Sequence, residues 1–272
     1  MREKLIVVTD LDGTLLDDSY RWDAAAESVE ELRRRGFPLV LNSSKTLAEM
    51  RDLARELETV APLVAENGGV VAVPEESGLA EYCGGAEKRD GYLLNFPGTS
   101  RERILEVAHG LRAERGYRFE GFADWPVETI VGHTGLSAEQ AGLSARRVAT
   151  EPIRWHDSED RLAEFSGLLG GHGIRILRGG RFLHLMGMCD KAGGLREVAK
   201  FYRLAEPGVA WTTMALGDSA NDLGMLNAAD IAVVIPNLHG GPLLKPEGGC
   251  IFTATKAGPE GWHEALSHFL EH

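Results

Sequence analysis

The sequence predicts an α/β protein, a parallel sheet covered by helices on both faces and interrupted by an inserted α+β domain. Near both ends of the chain, short apolar, β-branched runs alternate with helical stretches. Strands joined through helices run parallel and are buried on both faces, so they read as continuous apolar runs rather than alternating ones. Between the two ends, from roughly Arg89 to Gly187, the texture changes to longer helices, polar strands and frequent glycine, which marks an insertion.

Lys4 to Thr9 is such an apolar run, and it stops at the polar turn Asp10-Leu11-Asp12-Gly13-Thr14, as a central strand does. Trp22 to Arg35 has helical composition with a basic end and Gly36 as its stop; Phe37 to Leu41 is the second buried strand. Thr46 followed by Glu49 forms a capping box for a helix that gathers Leu47, Met50, Leu53, Ala54 and Leu57 on one face. Leu63 to Ala65 gives a third strand, and Glu66-Asn67-Gly68-Gly69 turns the chain into Val70 to Val73. In the insertion, Arg101 to Arg115 reads as a helix, and Ser137 with Gln140 caps the start of another. After it come a helix from about Lys191 to Leu204, a strand Thr212 to Leu216, a helix near Ser219 to Leu226 and a strand Ile231 to Ile235. The predicted division is a core of residues 1–88 and 188–272 with a second domain inserted at 89–187.

Composition excludes several classes of protein. At 272 residues the chain buries a core without disulfide or metal staples, and 43% hydrophobic with 26% charged residues excludes disorder. A net charge of −12 without any Lys/Arg block speaks against nucleic acid or an anionic membrane as partner, whereas a small anion still binds where local positive charge or a metal gathers. Cys83, Cys189 and Cys250 are far apart and form no CxxC pair, so neither a disulfide framework nor a zinc ribbon is expected, and the expected location is the reducing cytoplasm. Leu5 to Val8 is too short for a signal segment, and no apolar run approaches the roughly 20 residues of a membrane helix.

Alternate residues of an extended segment project to the same side, so Asp10 and Asp12 converge at the end of the first strand. Two carboxylates held close need a cation between them or a proton on one of them; the bland alternative is a solvated turn. Three more elements belong at the carboxyl ends of parallel strands, where open α/β sheets bind ligands. They are Ser43 after the second strand, Lys191 at a helix start, and Gly217-Asp218-Ser219-Ala220-Asn221-Asp222 after a later strand. Taken singly, Ser43 is a helix-entry residue, Lys191 a solvated lysine and Asp218 a helix cap. Their joint occurrence in this order points to one site.

With DxDGT, a strand-end Ser, a Lys and a GDxxND segment, the sequence resembles the haloacid dehalogenase superfamily of phosphatases, across the whole core. The resemblance implies a Rossmann-like core of that type with an inserted α+β cap domain. It also implies that Asp10 attacks phosphorus, that Asp12 protonates the leaving oxygen and later activates water, and that Ser43 and Lys191 hold the phosphate oxygens. Mg²⁺ is implied as cofactor, bound by the carboxylates of Asp10 and Asp218 and the carbonyl of Asp12, with Asn221 and Asp222 in support. More narrowly, the chain is similar to mannosyl-3-phosphoglycerate phosphatases through Asn42-Ser43-Ser44-Lys45-Thr46, Ala65-Glu66-Asn67-Gly68-Gly69, Thr134-Gly135-Leu136, Ala145-Arg146-Arg147, Arg178-Gly179-Gly180-Arg181-Phe182 and Cys189-Asp190-Lys191. It departs from that family at Val148-Ala149-Thr150, where the family has Glu-Phe-Ser.

The resemblance implies a small phosphorylated metabolite as substrate, mannosyl-3-phosphoglycerate, with the glucosyl compound, a related sugar phosphate, or phosphotransfer as the alternatives. Gly179 and Gly180 are candidates to present N–H groups to the glycerate carboxylate, with Arg178 or Arg181 beside them; an ordinary hairpin turn is the other reading. Ser44, Lys45, Glu66 and Asn67 lie on core loops expected to face the cap and are candidates to contact sugar or phosphate. His263, Glu264 and His268 are no zinc-protease helix, because the second histidine falls five residues after the first and off the shared face.

Overall fold

The computed structural model describes residues 2–84, 87–179 and 181–270. β1 (Arg2–Thr9), α1 (Ala26–Arg35), β2 (Leu39–Asn42), α2 (Leu47–Glu56) and β3 (Leu63–Ala65) follow one another in the predicted order. Three more strands come next, β4 (Val70–Pro74), β5 (Glu87–Arg89) and β6 (Tyr92–Asn95). The insertion contains α3 (Arg101–Arg115), β7 (Phe119–Gly121), α4 (Val127–Thr134), α5 (Ala138–Ser144), β8 (Thr150–Trp155), α6 (Glu159–Gly170), β9 (Ile174–Arg178) and β10 (Leu183–Gly187). The chain then runs through α7 (Lys191–Ala205), β11 (Val209–Gly217), α8 (Leu223–Ala228), β12 (Ile231–Val234), β13 (Cys250–Thr253) and α9 (Gly258–Leu270).

Among the described residues the larger sheet has nine strands in the order β13-β12-β11-β1-β2-β3-β4-β6-β5. From β13 to β3 the neighbours are parallel, and β4, β6 and β5 add antiparallel pairs at one side. β1 is central, and its residues alternate between two cores. Val7 packs with Leu32, Met50 and Trp262 of α1, α2 and α9, while Ile6 and Val8 pack with Leu195, Phe201 and Met225 of α7 and α8. Burial on both faces is the physical reason that this strand reads as an unbroken apolar run.

The second sheet is antiparallel, in the order β7-β8-β10-β9. α3 and α6 cover one of its faces, where Ile104, Phe165 and Leu169 meet Phe119, Ile153 and Leu185. The expected boundary at residue 89 falls too early: β6 pairs with β4, so the chain leaves the larger sheet only after Asn95. The misplacement has a simple cause, since Glu87–Arg89 is exposed and polar and carries no sign of joining a buried sheet. All three cysteines are free, and among the described residues no helix is long and apolar enough to cross a membrane.

Candidate active site

Asp10 lies just beyond the carboxyl end of β1, and its backbone N–H donates to the Leu216 carbonyl of neighbouring β11 at 3.0 Å. Its own carbonyl accepts from Thr9 Oγ1 at 2.7 Å, and Thr9 Oγ1 in turn accepts from the indole of Trp262 at 3.1 Å. The next turn folds back tightly, and Gly13, at φ +81°, brings its backbone so near Asp218 that a Cβ would stand 2.7 Å from Oδ2. Gly217 makes the corresponding approach on the other side, where a Cβ would stand 2.4 Å from that of Asp222. Both glycines are therefore required by close packing of the two loops.

These loops gather Asp10, Asp218 and Asp222, each buried, with one carboxylate oxygen of each within 4.8 Å of the others. Lys191, at the first turn of α7, reaches into the cluster and donates to Asp10 Oδ1 at 2.5 Å and to Asp222 Oδ1 at 2.6 Å. Asp222 Oδ2 is occupied as well, by the N–H groups of Asp218 at 3.2 Å and Ser219 at 3.0 Å. That double engagement suits the supporting role expected of Asp222, although it stands closer to Asp10 and Asp218 than a purely outer residue would. Asp218 is steered by Thr14 Oγ1 at 3.1 Å and by Asn237 Nδ2 at 2.6 Å. Asn221 donates to Asn67 Oδ1 at 3.4 Å.

Three buried carboxylates share one lysine, so the cluster carries excess negative charge that a hard divalent cation would neutralise, and an all-oxygen donor set is the kind such ions select. Burial first, and then the Asp222 charge, push Asp10 up to about 7 against the pull of Lys191. Burial and Asp222 raise Asp218 in the same way. For Lys191, burial opposes the charge, but Asp10 and Asp222 outweigh it and the ammonium is held more firmly than usual. A carboxyl raised in this way binds more protons in the native than in the unfolded chain between its ordinary 3.8 and about 7. The cation-free fold therefore loses stability as pH rises through that window, and a cation competes with one proton fewer above it. Calorimetric titration with a divalent ion is expected to show affinity rising about tenfold per pH unit up to about pH 7 and levelling beyond.

The other residues named from the sequence divide into two groups. Ser43 is buried at the end of β2, and Ser44 is half-buried beside it. The Asp12 carboxylate stands outside the carboxylate cluster: it is half-exposed and pairs with Lys45 Nζ at 2.9 Å. The expectation that both acids of the DxD point into one place is corrected here, because the chain turns sharply after Leu11, with Leu16 N–H donating to the Leu11 carbonyl at 2.8 Å. For Lys45, burial works against the charge, but Asp12 more than offsets it and raises its pKa.

Glu66, expected at the substrate, is instead a tether to the insertion. It is fully buried, and its carboxylate accepts from Val148 N at 2.8 Å, Ala149 N at 3.1 Å and Thr150 Oγ1 at 2.7 Å. The segment it holds is the one that departs from the family pattern. Glu66→Gln is expected to lower the free energy of unfolding in urea by about 1–3 kcal/mol, because a carboxamide cannot accept at both ends and leaves buried donors unpaired.

The β9–β10 turn is not brought to the carboxylates. Arg178 pairs with Glu159 at 2.5 Å, Arg181 donates to the Thr134 carbonyl, and Gly179 N–H closes the hairpin onto Phe182 O at 2.9 Å. Gly180 lies outside the described residues. The turn occupies the end of β10 opposite to the one that leads into α7, roughly 15 Å along the strand. Thr14 and Asn237, which hold Asp218, were not among the site residues named from the sequence. Asn237 follows the end of another parallel strand, β12, and the rule that ligands collect at such ends was the signal for it.

Buried carboxylates and a lysine gathered at the carboxyl ends of a parallel sheet, where open α/β sheets bind their ligands, are the arrangement of a hydrolase site. The chain belongs to the haloacid dehalogenase-like hydrolases, whose family profile matches residues 7–83 and 184–241. A glucosyl-3-phosphoglycerate/mannosyl-3-phosphoglycerate phosphatase from Methanococcoides burtonii is 35% identical, over 98% of this chain and 97% of its own length. Among solved structures, a phosphatase of the haloalkanoate enzyme superfamily from Bacteroides thetaiotaomicron shares the fold at a TM-score of 0.65 and 18% identity, covering 98% of this chain and 95% of that one. The sucrose-phosphatase of Synechocystis sp. PCC6803, solved with sucrose and phosphate, does so at 0.58 and 18%, covering 99% and 98%.

Proposed function

We propose that this hydrolase is a Mg²⁺-dependent phosphatase that converts mannosyl-3-phosphoglycerate to mannosylglycerate and phosphate. The observation that carries the reading is the buried Asp10 at the tip of β1, pinned by Lys191 and set beside Asp218. The name of the Methanococcoides relative supports the substrate and extends it to the glucosyl compound, which differs at one hydroxyl and is discriminated by only a few contacts.

Asp10 attacks phosphorus while the ester P–O bond breaks, and Asp12 gives its proton to the departing alkoxide. Water then attacks the aspartyl-phosphate, Asp12 takes up the water's proton, and the bond to Asp10 breaks to free phosphate and restore the carboxylate. Lys191 and Ser43 hold the phosphate oxygens through both displacements. Asp10, Asp218 and the carbonyl of Asp12 would hold Mg²⁺, with Asp222 and Asn221 in support, and the ion would supply positive charge against the repulsion between a carboxylate and a phosphate dianion. Asp12 is half-exposed and paired with Lys45, which suits an acid that meets a leaving group entering from solvent.

Phosphate release from a panel of phosphorylated metabolites, with Mg²⁺ and with a chelator, tests metal, reaction and substrate together. Mannosyl-3-phosphoglycerate is expected to give the highest kcat/KM and the chelator to abolish turnover. Faster turnover of an unrelated ester overturns the substrate, and transfer to an added sugar exceeding transfer to water overturns hydrolysis.

A further inference from the structure

We infer that the cavity between α2 and α5 is the subsite for the sugar of the leaving group, an inference that rests on the phosphatase reading above. About 270 Å³ lies along α2, from Lys45 and Glu49 at its start past Leu53 to Glu56, closed at one end by Leu16 and Tyr20 of the loop after β1 and on the other side by Leu136, Gln140 and Leu143 at α5. That is near the lower end of ligand-pocket sizes, about 300 Å³ upward, and suits a single ring rather than a nucleotide. One wall is Lys45, which pairs with Asp12 at 2.9 Å. Because Asp12 protonates the departing oxygen, whatever leaves phosphorus leaves toward this cavity.

The lining has the chemistry of a polyhydroxyl ring. Leu16 and Leu143 offer apolar contact, and the Tyr20 ring is held by Lys45 Nζ, 4.7 Å from its centroid. Glu49 and Gln140 face the cavity from opposite sides, and each is fixed by its own capping box. Glu49 accepts from Thr46 N at 2.7 Å through Oε2, and Gln140 accepts from Ser137 N at 3.2 Å through Oε1. The second carboxylate oxygen of Glu49 and the NH₂ group of Gln140 are thereby preset as an acceptor and a donor, and hydroxyl groups satisfy both at once. Glu49 and Glu56 both line the cavity, and the one lysine there, Lys45, is already paired with Asp12, so an acidic group is repelled. Core and insertion supply opposite walls, and the Thr46 hydroxyl bonds the Leu143 carbonyl across them at 3.1 Å, so the subsite exists only when the two parts are docked.

Steady-state kinetics of the full chain on mannosyl-3-phosphoglycerate and on 3-phosphoglycerate, which shares the phosphate and carboxylate but lacks the sugar, test the assignment. Gln140→Leu removes the donor, and Leu143→Trp fills the cavity without touching a capping box. For both variants the ratio of kcat/KM between the sugar-bearing and sugar-free esters is expected to fall about tenfold or more, through KM of the former. If the wild type prefers the sugar-bearing ester and neither substitution changes the ratio, the subsite is wrong and the phosphatase reading stands. A wild type without that preference overturns the substrate, and the subsite with it.

Discussion

Replacing Asp10 by asparagine is expected to lower phosphate release by at least about 10³-fold without unfolding the protein, the scale typical of losing a covalent nucleophile. The amide neither attacks phosphorus nor matches a carboxylate as a ligand for a hard cation. Stability moves differently. Burial and Asp222 push the Asp10 carboxyl up to about 7, so its ionised form is a liability in the cation-free fold. Asp10→Asn is therefore expected to melt at the same temperature as the wild type or higher when Mg²⁺ is absent, and to lack the rise in melting temperature that Mg²⁺ is expected to give the wild type. Residual turnover within tenfold of the wild type would remove the covalent route.

Lys191→Ala is expected to do the opposite to the fold. Read from sequence, Lys191 is a phosphate-binding lysine whose loss leaves a folded, inactive protein. In the structure its side chain is 1% exposed and is the shared partner of Asp10 and Asp222. Removing one member of a buried charge cluster leaves the others uncompensated, at a cost of about 3–5 kcal/mol. Urea melts with and without Mg²⁺ check this: the loss is expected to be largest without the ion and to shrink with it, because the cation takes over part of the neutralisation. Unchanged stability in the absence of Mg²⁺ would mean that the Asp10–Lys191–Asp222 contacts are not coupled as described. Activity is lost in either case.

What was legible in the sequence was what local chemistry controls. Leu63–Ala65 and Arg101–Arg115 match their predicted limits, and the capping boxes of Thr46 with Glu49 and Ser137 with Gln140 both form. Strand-end placement brings Asp10 and Asp218 together because parallel β1 and β11 are adjacent, and Lys191 reaches Asp10 from the start of α7. The failures concern direction and long-range pairing. Period-two alternation sends Asp12 to the same side as Asp10, but the chain leaves the extended conformation at Leu11, and alternation no longer holds. Glu66 reads as a ligand because an acid on a strand-end loop faces either a substrate or a partner; only the pairing with residues 148–150 decides between them. The arginines of the β9–β10 turn carry the right charge, yet their distance from the site depends on which end of β10 joins the core.

The packing of β1 also bears on how the molecule is made. Its pairing partners are β2, a few dozen residues on, and β11, more than two hundred residues later; the Thr9–Trp262 bond spans 253 positions. During translation the apolar run Ile6–Val8 therefore waits with one flank unpaired while most of the polypeptide is made, and such an open edge invites chaperones or aggregation. Completion of the site is a late event in the life of the nascent chain, since the lysine bonded to Asp10 and the indole bonded to Thr9 emerge from the ribosome long after Asp10 itself.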